Sequence, residues 1–254
     1  MRRGPYWESE WVPEESGPLS AMALDKNAWS TTSAYVNDPA TPVLPVLRQY
    51  LRDAGVTVAQ PGYRREVVPA GARAISAASS PQVRDLVRVM LQTSDNFMAE
   101  LLLKEVGRKA KGAGTTAAGA LAVREMLTRW KVPYGSIADG SGLSKLDRAS
   151  TSDELALLRL LELSSLYADL RLALPVACRS GTLEERLCGT AAQNRLAAKT
   201  GTLDETRALT GWTTTRDGHR VRFSFLLAGL GSGDSARKAI DRAVVVLAGA
   251  TVAA

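Results

Sequence analysis

The spacing of apolar and polar positions changes character along the chain. After Asp38-Pro39, Leu44, Leu47, Tyr50 and Leu51 recur at helical intervals until Gly55. Val56-Thr57-Val58 follows as a short strand candidate. Ser80-Pro81 opens a second helix with Val83, Leu86, Val87, Met90 and Leu91 on one stripe. The polar break Thr93-Ser94-Asp95-Asn96 interrupts it, and helical spacing resumes with Phe97, Leu101 and Leu102. A Gly-rich connector, Lys111 to Thr116, leads to a helical pattern from Ala118 to Trp130. Thr151 and Glu154 read as a capping box ahead of Leu155 to Leu163. Beyond Pro175 the period shortens: Arg195 to Thr200, Ala208 to Thr215 and Val221 to Leu230 read as strands, the last two joined by Asp217-Gly218. A final helix runs from Asp234, an N-cap candidate, to Leu247. Helices followed by an antiparallel meander and one more helix predict an α+β fold, an antiparallel sheet flanked by helices. The stretch up to Trp29, rich in Trp, Glu and Pro with an apolar strand-like patch at Leu19 to Leu24, reads as the tail of a preceding region.

Composition narrows the chemistry. The chain has 254 residues, 45% of them hydrophobic, and a net charge of +6, an ordinary globular make-up with length for a sizeable core. No Lys/Arg run exceeds two residues and no basic patch carries interleaved aromatics, so no nucleic-acid partner is expected. The single histidine, His219, sits beside an Asp-Gly turn and reads as a turn residue; multi-histidine metal sites are excluded, and no metal or organic cofactor is expected. Cys178 and Cys188 fit neither a redox pair nor a metal knuckle. They either pair with each other in an exported protein or pack as small buried hydrophobes. Arg2-Arg3 leads into Gly4-Pro5-Tyr6-Trp7-Glu8 and not an apolar stretch, so no signal peptide is visible, and the longest apolar run, Ala243 to Ala254, is too short to span a bilayer.

Two tripeptides stand out, Ser94-Asp95-Asn96 and Lys199-Thr200-Gly201. In an extended loop Ser94 and Asn96 would leave the backbone on the same side and face one cleft, although both also suit the cap of the next helix. Lys199 falls at the end of a strand candidate. Gly201 would let a substrate backbone approach the strand edge, and Thr200 and Thr202 beside an ammonium suit a terminal carboxylate. Both tripeptides are motifs of serine enzymes that are acylated without histidine.

Four strings in order extend this: Ser94-Asp95-Asn96-Phe97-Met98-Ala99-Glu100, Asp139-Gly140-Ser141-Gly142-Leu143-Ser144, Ser180-Gly181-Thr182-Leu183 and Ala198-Lys199-Thr200-Gly201-Thr202-Leu203. With them the chain resembles, over nearly its whole length, the bacterial D-alanyl-D-alanine carboxypeptidase/endopeptidases, low-molecular-mass penicillin-binding proteins with inserted domains. The resemblance implies a penicillin-binding, serine β-lactamase-like transpeptidase domain at residues 37–254, with residues 1–36 a remnant of the inserted-domain region and its return strand. It implies that Ser94 relays a proton, Asn96 binds the substrate amide and Lys199 supplies positive potential and holds Ser94. Thr200 and Thr202 would hold the C-terminal carboxylate beside Gly201, and the Thr202 N–H would be half of an oxyanion hole. The implied partners are peptidoglycan stem peptides ending in D-Ala-D-Ala and β-lactams, and the implied location is extracytoplasmic.

The chain departs from that family in one respect. The family's Ser-x-x-Lys nucleophile motif precedes Ser-Asp-Asn, yet the only Ser-x-x-Lys here is Ser235-Ala236-Arg237-Lys238, which reads as a helix start with surface charges. The expectation is a C-terminal portion of a longer protein, incomplete on its N-terminal side and without acylation activity alone, with the missing part of the same protein as a partner. The alternative is a non-catalytic module binding cell-wall peptides. A nucleotide-binding reading of Gly229-Leu230-Gly231-Ser232-Gly233 fails because Asp234 replaces the last glycine of the dinucleotide pattern.

Overall fold

The structure, a computed structural model, describes residues 3–20, 22–23, 26, 43–58, 66–229 and 233–252. The proposed boundary at 36/37, the helix start at Asp38-Pro39, residues 230–232 of the glycine-rich string and parts of the Leu19 to Leu24 patch lie outside these residues. The chain forms two compact units. Unit 1 spans residues 1–3 and 8–82 and contains α1 (Trp11–Glu14) and α2 (Val43–Asp53), the latter closed by Gly55 at φ 78°. Val56-Thr57-Val58 forms no strand: the Val56 N–H turns back to the Leu51 carbonyl at 2.8 Å as part of the close of α2.

Unit 2, residues 4–7 and 83–254, carries the remaining elements. Its helices are α3 (Val83–Thr93), α4 (Asn96–Lys111), α5 (Thr116–Arg129), α6 (Thr151–Glu162), α7 (Tyr167–Ala173) and α8 (Gly233–Gly249). A three-stranded antiparallel sheet, β1 (Ala197–Leu203), β2 (Thr206–Thr214) and β3 (Arg220–Ala228), runs in sequence order. The α+β prediction therefore holds, with shifted boundaries. Strand β1 continues past Thr200 to Leu203, which places Lys199 inside the strand and not at its end. Helix α8 starts at Gly233, so Asp234 lies in the first turn, paired with Arg237, and is not the N-cap. The capping box of α6 is Ser150 with Asp153, one residue earlier than expected. That register releases Glu154 for another task.

Strand alternation divides unit 2 at the sheet. One face, carrying Ala198, Leu209 and Phe223, packs on Ile240, Val244 and Ala248 of α8 with Leu183 and Leu196. The other packs Ala197 and Trp212 on Leu158 of α6 and Leu174, beside Tyr167. The turn from β2 to β3 is the expected Asp-Gly hairpin: Gly218 has φ 91°, and the His219 N–H donates to Thr215 Oγ1 at 2.9 Å. Cys178 and Cys188 are joined in a disulfide with Cα atoms 4.8 Å apart, which resolves the choice that their spacing left open.

Candidate active site

The site begins at the turn between α3 and α4. Ser94 is left-handed (φ 54°), and the next N–H, that of Asp95, returns to the Met90 carbonyl at 3.0 Å. This is the helix-ending arrangement in which glycine is usual, and a residue with a Cβ costs roughly 1–2 kcal/mol there. Asp95 is extended and caps α4: its Oδ1 accepts from the Met98 N–H at 2.9 Å. The extended-loop expectation is therefore corrected, because Ser94 is left-handed and Asn96 is already the first residue of α4. The capping alternative is corrected as well. Asp95 does that work, and the Ser94 hydroxyl accepts a hydrogen bond from Lys199 Nζ at 2.6 Å.

Lys199 reaches Ser94 from the middle of β1, an outer strand of the described sheet. Its Nζ also donates to its neighbour's carbonyl, Thr200 O, at 2.6 Å. Burial pushes the Lys199 ammonium down to about 8. The outer edge of β1 is paired only at its beginning, where the Ala198 N–H donates to Pro175 O at 3.0 Å. Because backbone groups alternate along an antiparallel strand, those of Thr200 and Thr202 face the same way as Ala198. Among the described residues no backbone group covers them. Thr202 is exposed, and a Cβ added at Gly201 would come within 3.0 Å of the Ala208 Cβ on the neighbouring strand. The structure thus links Ser94, Lys199 and Thr200 by hydrogen bonds, with Asn96, Gly201 and Thr202 next to them in the chain.

Residues without a role in the sequence reading also converge here. Thr182 Oγ1 lies 2.8 Å from Thr200 Oγ1. Its loop is seated on the last turn of α3: a Cβ on Gly181, which has φ 61°, would fall 2.5 Å from Gln92 Oε1. Gln92 Nε2 in turn donates to the carbonyls of Ala173 (3.2 Å) and Leu174 (2.8 Å). On the sheet, Lys199 lies opposite Thr210, which lies opposite Ser224. Both hydroxyls donate to Glu154 Oε2, Ser224 at 2.7 Å. The signal for Thr182 was its quoted string, whereas Glu154 was hidden by a one-residue misreading of the cap.

The string Asp139 to Ser144 fastens onto α4 one turn beyond Asn96. Fully buried Glu100 accepts from the N–H groups of Gly140 (2.6 Å) and Ser141 (3.1 Å), and burial raises its carboxyl above the ordinary range. A Cβ on Gly140 would sit 2.7 Å from Ala99 O, so only glycine permits this approach. Asp139 accepts from Trp7 Nε1 (2.7 Å), the Gly142 N–H (2.7 Å) and the Ser144 N–H (2.8 Å). Burial, and then the hydrogen bond to Asp139, push Asp147 up to about 7. Among the described residues no three His, Cys, Asp or Glu side chains gather at metal-binding spacing.

Ser235 and Lys238 lie elsewhere. Both are exposed on α8, whose core-facing side packs on the sheet face opposite to Lys199. A hydroxyl, a half-buried ammonium and a strand edge that no described backbone group covers can bind a peptide in extended form and move a proton beside its carbonyl.

The sequence pattern of the D-Ala-D-Ala carboxypeptidase 3 (S13) family matches residues 20–251. The chain belongs to that family. Among its carboxypeptidase relatives, the D-alanyl-D-alanine carboxypeptidase of an Actinomadura species is 30% identical over 92% of this chain and 43% of its own length. Carboxypeptidase DacB of Mycolicibacterium smegmatis is 31% identical over 96% of this chain and 55% of its own. The chain therefore spans about half the length of the curated carboxypeptidases it matches. The crystal structure of penicillin binding protein 4 from Haemophilus influenzae in complex with a β-lactam superimposes with a TM-score of 0.69 at 26% identity, covering 84% of this chain and 51% of that one. The penicillin-binding, β-lactamase-like fold read from the motifs is thus the fold of this carboxypeptidase-family chain.

Proposed function

We propose that this chain forms the Ser-Asp-Asn and Lys-Thr-Gly walls of a serine-type D-Ala-D-Ala carboxypeptidase or endopeptidase that processes peptidoglycan and binds β-lactams outside the cytoplasmic membrane. The observation that carries it is the 2.6 Å hydrogen bond joining the two motifs across 105 residues. In the reaction, Ser94 passes a proton toward the leaving amine while Lys199 holds its hydroxyl and supplies positive potential. Asn96 binds the substrate amide. Thr200 and Thr202 take the terminal carboxylate beside the small Gly201, and the outward Thr202 N–H stabilises the oxyanion as the tetrahedral centre forms. The disulfide suits an oxidising location.

On this reading the nucleophilic serine and its lysine come from a segment outside these 254 residues, since Ser235 and Lys238 sit on α8. A fluorescent penicillin tests it. The chain alone stays unlabelled, and supplying a family Ser-x-x-Lys segment allows labelling that S94A or K199A prevents. Labelling of the chain alone that disappears in S235A would overturn the reading. A second reading, a non-catalytic module that captures cell-wall peptides, is favoured by the same position of Ser235. It predicts non-covalent peptide binding and no labelling even with the segment supplied.

A further inference from the structure

The string Ser180-Gly181-Thr182-Leu183 has no part in the roles assigned above, yet it touches the Lys-Thr-Gly strand directly. We propose that Thr182 is a further carboxylate-binding residue of this cleft, a third threonine hydroxyl presented by a disulfide-clamped loop to the C-terminal carboxylate of a bound peptide. The assignment rests on the peptidase reading of the cleft and adds to it a residue and the part of the ligand that it holds.

The chemistry follows from counting protons. Thr182 and Thr200 bring two hydroxyl hydrogens to an O···O contact of 2.8 Å, and one of them closes that contact. The other remains to donate outward, and a hydroxyl that already accepts a hydrogen bond is a stronger donor. The Lys199 ammonium has three N–H groups, two of them engaged by Ser94 Oγ and Thr200 O, so the third is also available. Thr182 and Thr202 are exposed, and the backbone of Thr200 and Thr202 faces the open edge of β1. A carboxylate, with about four lone-pair sites, matches a cluster that offers hydroxyl and ammonium donors.

The loop is built to hold Thr182 still. The Cys178–Cys188 bridge closes it and limits the conformations open to the segment between them. Within the ring, the Cys178 N–H donates to Leu183 O at 2.9 Å and Arg186 O at 3.0 Å. Leu183, next to Thr182, is fully buried in the core against α8. Arg186 is tied to Asp241 of α8 by an ion pair of 2.6 Å. Gly181 rests on Gln92, two residues before Ser94, so the loop and the Ser94 turn share one support. Such fastening at an exposed hydroxyl is the pattern of a binding residue with a pre-set geometry.

The test is calorimetric titration of the 254-residue chain with an N-acetylated peptide ending in D-Ala-D-Ala and with the same peptide as its C-terminal amide. The unmodified chain is expected to favour the acid. T182V should weaken the acid roughly tenfold and leave the amide unchanged, and T182S should restore the preference. The double variant C178S/C188S, checked for native circular dichroism, should lose part of the same preference. Retained acid preference in T182V, or an equal loss for acid and amide, would overturn the Thr182 assignment alone. Binding of neither peptide by the unmodified chain would overturn the peptidase reading of the cleft and this assignment with it.

Discussion

The two faces of the three-stranded sheet are built from alternate residues of the same strands and have opposite characters. Toward α8, Ala198, Leu209, Phe223 and Val244 form a dry core with almost no exposed surface. Toward α6, the buried apolar cluster sits at the Ala197 and Trp212 end, and the row Lys199, Thr210 and Ser224 carries an ammonium that meets Ser94 and two hydroxyls that meet Glu154. A single strand, β1, belongs to both: Ala198 anchors it to one side while Lys199 projects to the other. The first face supplies the free energy to hold β1 rigid, and the second can therefore keep polar groups that stabilise little.

Substitutions can break that division of labour. The largest expected effect is L209A on the dry face, which leaves a cavity and costs roughly 2–5 kcal/mol, read as a lowered urea midpoint at an unchanged slope. Next, K199M should abolish the acid-over-amide peptide preference, a loss of tenfold or more, while leaving the urea midpoint unchanged or higher because a buried charge is removed. A midpoint as low as that of L209A would show that the polar face is also structural. A gentler probe is pH: because burial holds Lys199 near 8, affinity for the acid peptide should fall as pH rises through about 8, and the amide peptide should show no such fall. For stability the sign is opposite, since a depressed lysine contributes stability that is present above its unfolded value near 10.5 and is lost as pH falls through about 8. The smallest effect concerns Asp147, whose carboxyl is raised to about 7. Its contribution is present below the ordinary carboxylate range and is lost as pH rises through about 7, and D147N should flatten that decline in thermal midpoint.

The helices and the meander were legible because their apolar periods are long and regular, and the Asp217-Gly218 hairpin because only a few residues suit that turn. The two motifs were legible as strings. The backbone that presents the first motif was not, since a left-handed serine gives no sign in the sequence that distinguishes it from an extended one, and the cap fell to Asp95 between the two expected candidates. Glu154 was misread because two overlapping cap patterns, Ser150 with Asp153 and Thr151 with Glu154, differ by one residue, and contacts with β2 and β3 decided between them. Thr182 and the Glu100 contacts depend on segments tens of residues away, which local spacing cannot place.

The left-handed backbone of Ser94 sets the stability of the turn against the side chain it carries. Glycine at that position would relax the turn and strengthen the fold, at the sole expense of the oxygen that meets Lys199. Selection for folding stability alone would therefore favour losing this hydroxyl, whereas selection for its contact with the ammonium would keep it.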